Sequence, residues 1–176
     1  MYPIFRLAKE RLMNRNAAPL PIVETHVSHH ICWPWDIDPW MELNNGRTLT
    51  LYDLGRIPLM MRTGLGRVLH ANRWGLAVAG NATRYRRRVK AFHRIEMRTR
   101  LIGWDRRFFY ADQSMWRRGE CSSQTMIRLA VTAATGMVPP AQVVQLAGAA
   151  PESPALPDWV QAWCLAEDRR PWPPGP

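Results

Sequence analysis

Trp35-Asp36-Ile37-Asp38-Pro39-Trp40-Met41-Glu42-Leu43-Asn44-Asn45-Gly46-Arg47 separates two segments of different periodicity. Asp-x-Asp followed by Pro39 is turn chemistry, and Asn44 and Asn45 are residue types that start helices by capping the first free N–H groups. Upstream, residues 23–33 alternate. Val23, Thr25, Val27 and Ile31 share one face, and Glu24, His26, Ser28 and His30 share the other, the period of a strand that Pro34 ends. Downstream, residues 44–69 repeat at helical spacing. Leu49, Tyr52, Arg56 and Met60 form one stripe and Leu51, Leu54, Met61 and Leu65 another. A helix apolar on more than one side is a buried helix. Pro58 is expected to kink or split it, and Gly64 and Gly66 to end its regular part.

Further along, four strand-like runs are read at 76–89, 92–104, 107–117 and 123–137, joined by connections of hairpin length. Pro139-Pro140 stops the last run, and 141–150 reads as a short helix. The order is strand, long buried helix, then an antiparallel meander. It predicts an α+β fold in which a curved antiparallel sheet wraps one long central helix. This domain is expected over 21–150. Residues 1–20 precede it, and a tail rich in proline and tryptophan, expected to be extended unless its tryptophans dock, follows over 151–176. In the leading segment Ile4, Leu7, Ala8 and Leu12 share a helical face beside Arg6, Lys9 and Arg11. A helix docked on its own domain and a helix lying on a membrane surface both fit that pattern.

The quoted stretch resembles the signature of hot-dog-fold acyl-CoA thioesterases, in their 4-hydroxybenzoyl-CoA thioesterase-like branch: Asp-x-Asp after the first strand, then an Asn-Asn pair opening the helix. Leu51-Tyr52-Asp53-Leu54-Gly55-Arg56, Leu101-Ile102-Gly103-Trp104-Asp105 and Phe108-Phe109-Tyr110 extend the similarity over roughly 23–138. The resemblance implies hydrolysis of an acyl-CoA or acyl-carrier thioester to a free acid and a thiol. It places Asp38 at the catalytic carboxylate, as general base or nucleophile, and the Asn45 N–H at the thioester oxygen. A helix start suits that second role, because its unpaired donors and positive partial charge face a developing oxyanion. It also implies a homodimer or homotetramer, coenzyme A entering as part of the substrate, and no separate cofactor. Glu42 stands where many members of the family carry histidine. It either shares the base role with Asp38 or is a surface residue beside a site that binds without turnover. Asp38 is also a natural turn or capping residue, and Asp36 reads as a structural holder of the turn. Asn44 is a candidate substrate contact as well as a cap.

The chain has 176 residues, 24 Lys+Arg against 14 Asp+Glu, and a formal net charge of +10. Such an excess attracts anions: a phosphorylated ligand, an anionic membrane or nucleic acid. The densest basic run is Arg84-Tyr85-Arg86-Arg87-Arg88. On a strand Arg84, Arg86 and Arg88 would share a face, as a clamp for coenzyme A phosphates or as a solvated rim. No base-stacking motif accompanies it, so nucleic acid is not the expected partner; peripheral membrane contact through the leading segment stays open. His29 and His30 point to opposite strand faces and Cys32, Cys121 and Cys164 lie far apart, so no metal site or disulfide framework is read. No apolar run is long enough for a bilayer span, and the expected compartment is the cytoplasm.

Overall fold

The computed structural model describes residues 3–174. Asn44 starts the central helix with its Oδ1, which accepts the N–H groups of Gly46 and Arg47 at 2.9 and 3.2 Å. Helix α2 then runs Asn45–Arg62. Pro58 does not split it. The helix is continuous through that position, where a missing N–H removes one rung of the ladder while buried Leu54, Leu59 and Met60 hold both sides against the core. The regular helix ends before Gly64, as expected, where a φ of 76° is left-handed, and the chain restarts as α3, Leu65–Ala71.

The strands are β1 His26–Ile31, β2 Gly75–Tyr85, β3 Arg94–Trp104, β4 Phe108–Arg117, β5 Glu120–Ala133 and β6 Gly136–Val138. They form one antiparallel sheet in the order β1-β3-β4-β5-β2, with β6 folded back onto the end of β5. Two expected runs are therefore corrected. The run at 123–137 is a hairpin of two strands, because Gly136, at φ 125°, permits a tight turn. The run at 76–89 ends at Tyr85: the N–H groups of Arg86 and Arg87 both turn to the Ser122 carbonyl (2.8 and 3.0 Å), which ends the ladder. Between β4 and β5, Arg118 and Gly119 both take positive φ (51° and 79°), the turn that matches the twist of a two-residue hairpin.

The concave face of the sheet wraps α2, the hot-dog arrangement expected from the sequence. One apolar cluster surrounds Leu59, Leu65, Phe109 and Val131; a second surrounds Leu51, Tyr52, Leu54 and Met97. Between them a polar row crosses the sheet in register: His26, Thr99, Gln113, Thr125 and Thr83, one residue from each of five strands. Most of the row is hydrogen-bonded, as buried polar groups usually are; His26 takes Arg62 Nη1 at its Nδ1 (3.1 Å), while its buried Nε2 has no partner among the described residues. Gln113 Nε2 donates to Thr99 Oγ1 (3.0 Å) and to the Tyr52 carbonyl (2.8 Å), Arg56 Nη1 donates to Gln113 Oε1 (2.7 Å), and the Thr83 and Thr125 hydroxyls lie 2.8 Å apart. Gly55 lies where the helix comes closest. A Cβ there would stand 2.5 Å from Thr99 Oγ1 and 2.7 Å from Met97 Sδ.

On β1 the polar set faces inward: His26, Ser28 and His30 are buried and Val27 is exposed. Helix α1, Ile4–Asn14, explains this, because its buried Glu10 comes within 3.8 Å of His30 Nδ1 while Ser28 Oγ and His30 Nε2 share a 2.8 Å hydrogen bond. A short helix α4, Pro140–Leu146, follows β6. The tail, expected to be extended unless its tryptophans dock, contains helix α5, Asp158–Arg169. Trp163 and fully buried Val160 pack with Tyr110 and Met126 on the side of the sheet away from α2, and the Arg128 guanidinium lies between the Phe108 and Trp163 rings (4.6 and 4.9 Å). Gly80 keeps the strand low enough for Trp163 to settle over it.

Candidate active site

The turn before α2 is held by its own acids. Asp36 is fully buried, and one carboxylate oxygen accepts from Arg47 (3.0 and 2.7 Å) while the other accepts from Arg6 (2.7 Å) and the Trp33 N–H (3.0 Å). Burial would raise its pKa, but the Trp33 N–H and then the Arg47 and Arg6 guanidiniums outweigh that and hold the carboxyl below its usual range. Asp36 thus joins α1, the turn and the first turn of α2, the structural part read for it from sequence.

Asp38 lies two residues on, half-buried. Its Oδ1 accepts the Trp40 N–H at 2.9 Å and, more loosely at 3.4 Å, the Glu42 N–H; its own N–H donates to the Glu42 carbonyl at 2.9 Å. Both side-chain bonds fall on one oxygen. The bridge between Ile37 and Leu43 closes the loop and sets Glu42 at the foot of the helix. The Asn44 cap uses the N–H groups of Gly46 and Arg47, so the Asn45 N–H, first in the helix, stands outside it.

A cleft of about 250 Å³ opens between this helix start and the segment leaving β2. Glu42, Asn45 and Thr48 line one wall, Arg86, Arg87, Arg88 and Tyr85 the other, and Ser123 the floor. The fold therefore gathers Glu42, Asn45, Arg86 and Arg88, four of the residues singled out by sequence. It leaves Asp38, Asn44 and Arg84 outside the lining: Asp38 sits behind the Glu42 loop, Asn44 caps the helix, and Arg84 is exposed on β2 opposite Gln124. The strand alternation assigned to the three arginines ends at Tyr85, which is why Arg87 joins Arg86 and Arg88 at the cleft while Arg84 does not. Two arginines already hold carboxylates. Arg88 Nε is 3.2 Å from Glu42 and Arg87 Nε 2.5 Å from Glu120. Arg86 has no carboxylate within ion-pair distance among the described residues, so it is the cleft cation most available to an anion.

Thr48, Tyr85 and Ser123 were not singled out from the sequence. Thr48 follows from helical spacing, one turn after Asn44. Ser123 does not: it reaches the cleft only through the pairing of Tyr85 with Ser123 across β2 and β5. Its Oγ meets the buried Tyr52 hydroxyl at 2.9 Å, and burial pushes that phenol well above its ordinary pKa, so it stays a neutral hydrogen-bonding group.

A family model described as Thioesterase-like superfamily matches residues 32–164. The chain is 34% identical over 97 residues to "Protein THEM6" of Xenopus laevis, covering 53% of this chain and 47% of that one. It is 29% identical over 111 residues to "Protein THEM6" of Drosophila melanogaster, covering 62% and 56%. The chain thus spans about half the length of these relatives. Among solved structures, a 1,4-dihydroxy-2-naphthoyl-CoA thioesterase from Synechocystis superposes with a TM-score of 0.61 at 11% identity, covering 70% of this chain and 95% of that one. A thioesterase from Thermus thermophilus complexed with coenzyme A and zinc gives 0.58 at 18% identity, covering 66% and 90%. These structural likenesses bear on the fold.

Proposed function

Because the chain belongs to the Thioesterase-like superfamily, we propose that it hydrolyses the thioester of an acyl-CoA or acyl-carrier conjugate at the cleft before α2. The observation that carries this reading is the conjunction of a capped helix start, the Asp38 carboxylate in the turn before it and a basic wall across the cleft from that helix start. The Asn45 N–H would receive the thioester oxygen, and a preorganised donor of this kind contributes about 2.7–4 kcal/mol when charge develops on that oxygen. Asp38 would act through the oxygen that the Trp40 N–H does not hold, as base toward water or as nucleophile toward the carbonyl carbon. Arg86, joined by Arg88 on release from Glu42, would take the phosphates of coenzyme A, for which the guanidinium fork is suited. A neighbour in fold, the Thermus thermophilus thioesterase, is complexed with coenzyme A, which agrees with this assignment of the phosphates.

The oligomer belongs to the same proposal. β2 ends the sheet order, and Leu76 and Val78 stand exposed on it, an open edge of the kind proteins cover. Pairing this edge with a second copy would bring a partner wall to the cleft. A second reading, binding without turnover, is favoured by one specific contact: Glu42, at the position where the family often has histidine, is spent on Arg88.

Thiol release from short, long and aromatic acyl-CoAs decides between them. Turnover that disappears in Asp38→Asn, with acyl-CoA still bound, is the expected result. A folded wild-type protein that binds acyl-CoA and releases no thiol across the panel would establish the binding reading. Light scattering at low concentration tests assembly, where a mass near the 20.3 kDa of one chain would refute the dimer.

A further inference from the structure

Helix α1 packs on the domain through Leu7 and, beside it, the polar residues Arg6 and Glu10. Glu10 is buried at His30, and Arg6 reaches the buried Asp36, while Phe5 is 92% exposed and Ile4 and Leu12 are each 65% exposed. At 100° per residue these three, with Ala8, form the outward stripe of the helix. An apolar stripe turned away from the core is the reverse of what a helix docked on its own domain requires. Lys9 and Arg11 flank the stripe and Arg15 follows it just past the last turn; all three are exposed, and the one acid of α1, Glu10, is buried, with the Lys9 ammonium 3.1 Å from its carboxylate.

An aromatic group borders the helix on the side of Arg6. The Arg6 guanidinium lies 6.0 Å from the Trp35 ring, Trp35 stacks on Trp33 at 5.3 Å, and Phe92 meets Trp33 edge-on at 6.2 Å. Trp35 and Phe92 are mostly exposed. Phe92 is held at φ 63°, a left-handed conformation that a bulky side chain rarely adopts, and its N–H donates to the Cys32 carbonyl at 2.6 Å. A groove of about 530 Å³ between α1 and β1 carries Arg6, Lys9, His29 and Arg94 beside these rings, with Glu10 the one acid in its lining.

We infer that α1 and the Trp35–Phe92 group form a docking face for an anionic membrane surface, with Ile4, Phe5 and Leu12 entering the acyl boundary and Lys9, Arg11, Arg15 and Arg94 meeting lipid phosphates. An amphipathic helix with cations beside its apolar stripe binds bilayers in this way, and tryptophan settles at the headgroup level. Charge selects the occupant. A second copy docked through the same face would bring one set of exposed cations against another, with only the buried Glu10 beside them, whereas an anionic lipid surface complements them. Among the described residues no helix is long and apolar enough to cross a membrane, so the contact is peripheral. The inference is independent of turnover at the cleft.

The test is sedimentation of the full chain with phosphatidylcholine vesicles, with and without an equal part of phosphatidylglycerol. The expected result is partition onto the anionic vesicles, weakening with salt and small on phosphatidylcholine alone. Phe5→Glu with Leu12→Glu should lower the partition coefficient by about tenfold or more, and each of Lys9→Gln, Arg11→Gln and Arg15→Gln by roughly fivefold. Because Phe5 and Leu12 face solvent, the double variant should keep the wild-type melting curve. Protein that stays in solution with the anionic vesicles overturns the inference, as does a double variant that sediments like wild type. A double variant that loses oligomer mass by light scattering would assign the face to a second copy and overturn it equally.

Discussion

Acid should loosen this fold well above the carboxylate range. His26 and His30 are buried under α1 and the central helix, and burial pulls their pKa values from 6.5 to about 4 and about 3. After burial, the Arg62 guanidinium, 3.1 Å from His26 Nδ1, adds to the first shift, and Lys9, Arg6, His29 and His26 itself add to the second. Both folded-state values lie below the unfolded value, so the stability is fully present above about pH 6.5 and is lost as pH falls through that value toward the folded ones. At about pH 5 the unfolded imidazoles are almost wholly protonated and the folded ones are not, which costs the native state about 2 kcal/mol for each histidine relative to pH 7.5. The sum, about 4 kcal/mol, is a large fraction of the 5–15 kcal/mol typical of a domain and corresponds to a fall in Tm on the order of 10 °C. Urea denaturation at intervals from about pH 7.5 to pH 5 measures it, and His26→Asn should remove about half of the pH dependence. One group opposes the effect: the buried Glu10 carboxylate, 3.8 Å from His30 Nδ1, would steady an imidazolium. A midpoint that stays constant across this range would show that these histidines ionise in place and would refute the reasoning.

Gly55→Ala should destabilise the protein by about 1–3 kcal/mol, because the new methyl meets Thr99 Oγ1 and Met97 Sδ inside normal contact distance, both side chains are fully buried and Thr99 Oγ1 is held by Gln113; thermal melting checks this. Asp36→Ala leaves two guanidiniums facing an empty buried site and should cost about 3–5 kcal/mol. Because the Asp36 pKa is depressed, its contribution is present above the carboxylate range and fades only as pH falls through its folded value, a window below that of the histidines. Asp38→Asn should abolish thiol release and leave the melting curve nearly unchanged, since an amide oxygen can still accept the Trp40 N–H.

The helix start at Asn44, the buried helix after it and the antiparallel meander were legible because each rests on local chemistry: a capping side chain, a 3.6-residue period, a two-residue period and short turns. The same local signals misplaced boundaries. The kink or split expected at Pro58 does not occur, whereas the helix ends at Gly64 as its glycine predicts, since packing against the sheet holds a helix through one missing hydrogen bond but not through a left-handed residue. The basic run was read as a strand to residue 89, yet the Ser122 carbonyl, distant in sequence, captures two successive N–H groups and ends it at Tyr85.

The chain alone therefore determined which residue types stand at the foot of the central helix and that this helix, apolar on more than one side, must be covered, because both follow from local pattern. Tertiary structure decided the rest. It set Ser123 beneath the cleft through the register of β2 and β5, turned the polar side of β1 inward against Glu10, and left the apolar side of α1 in solvent. Alternation shows that a strand or helix has two faces. Which one is buried depends on what the rest of the chain brings against it.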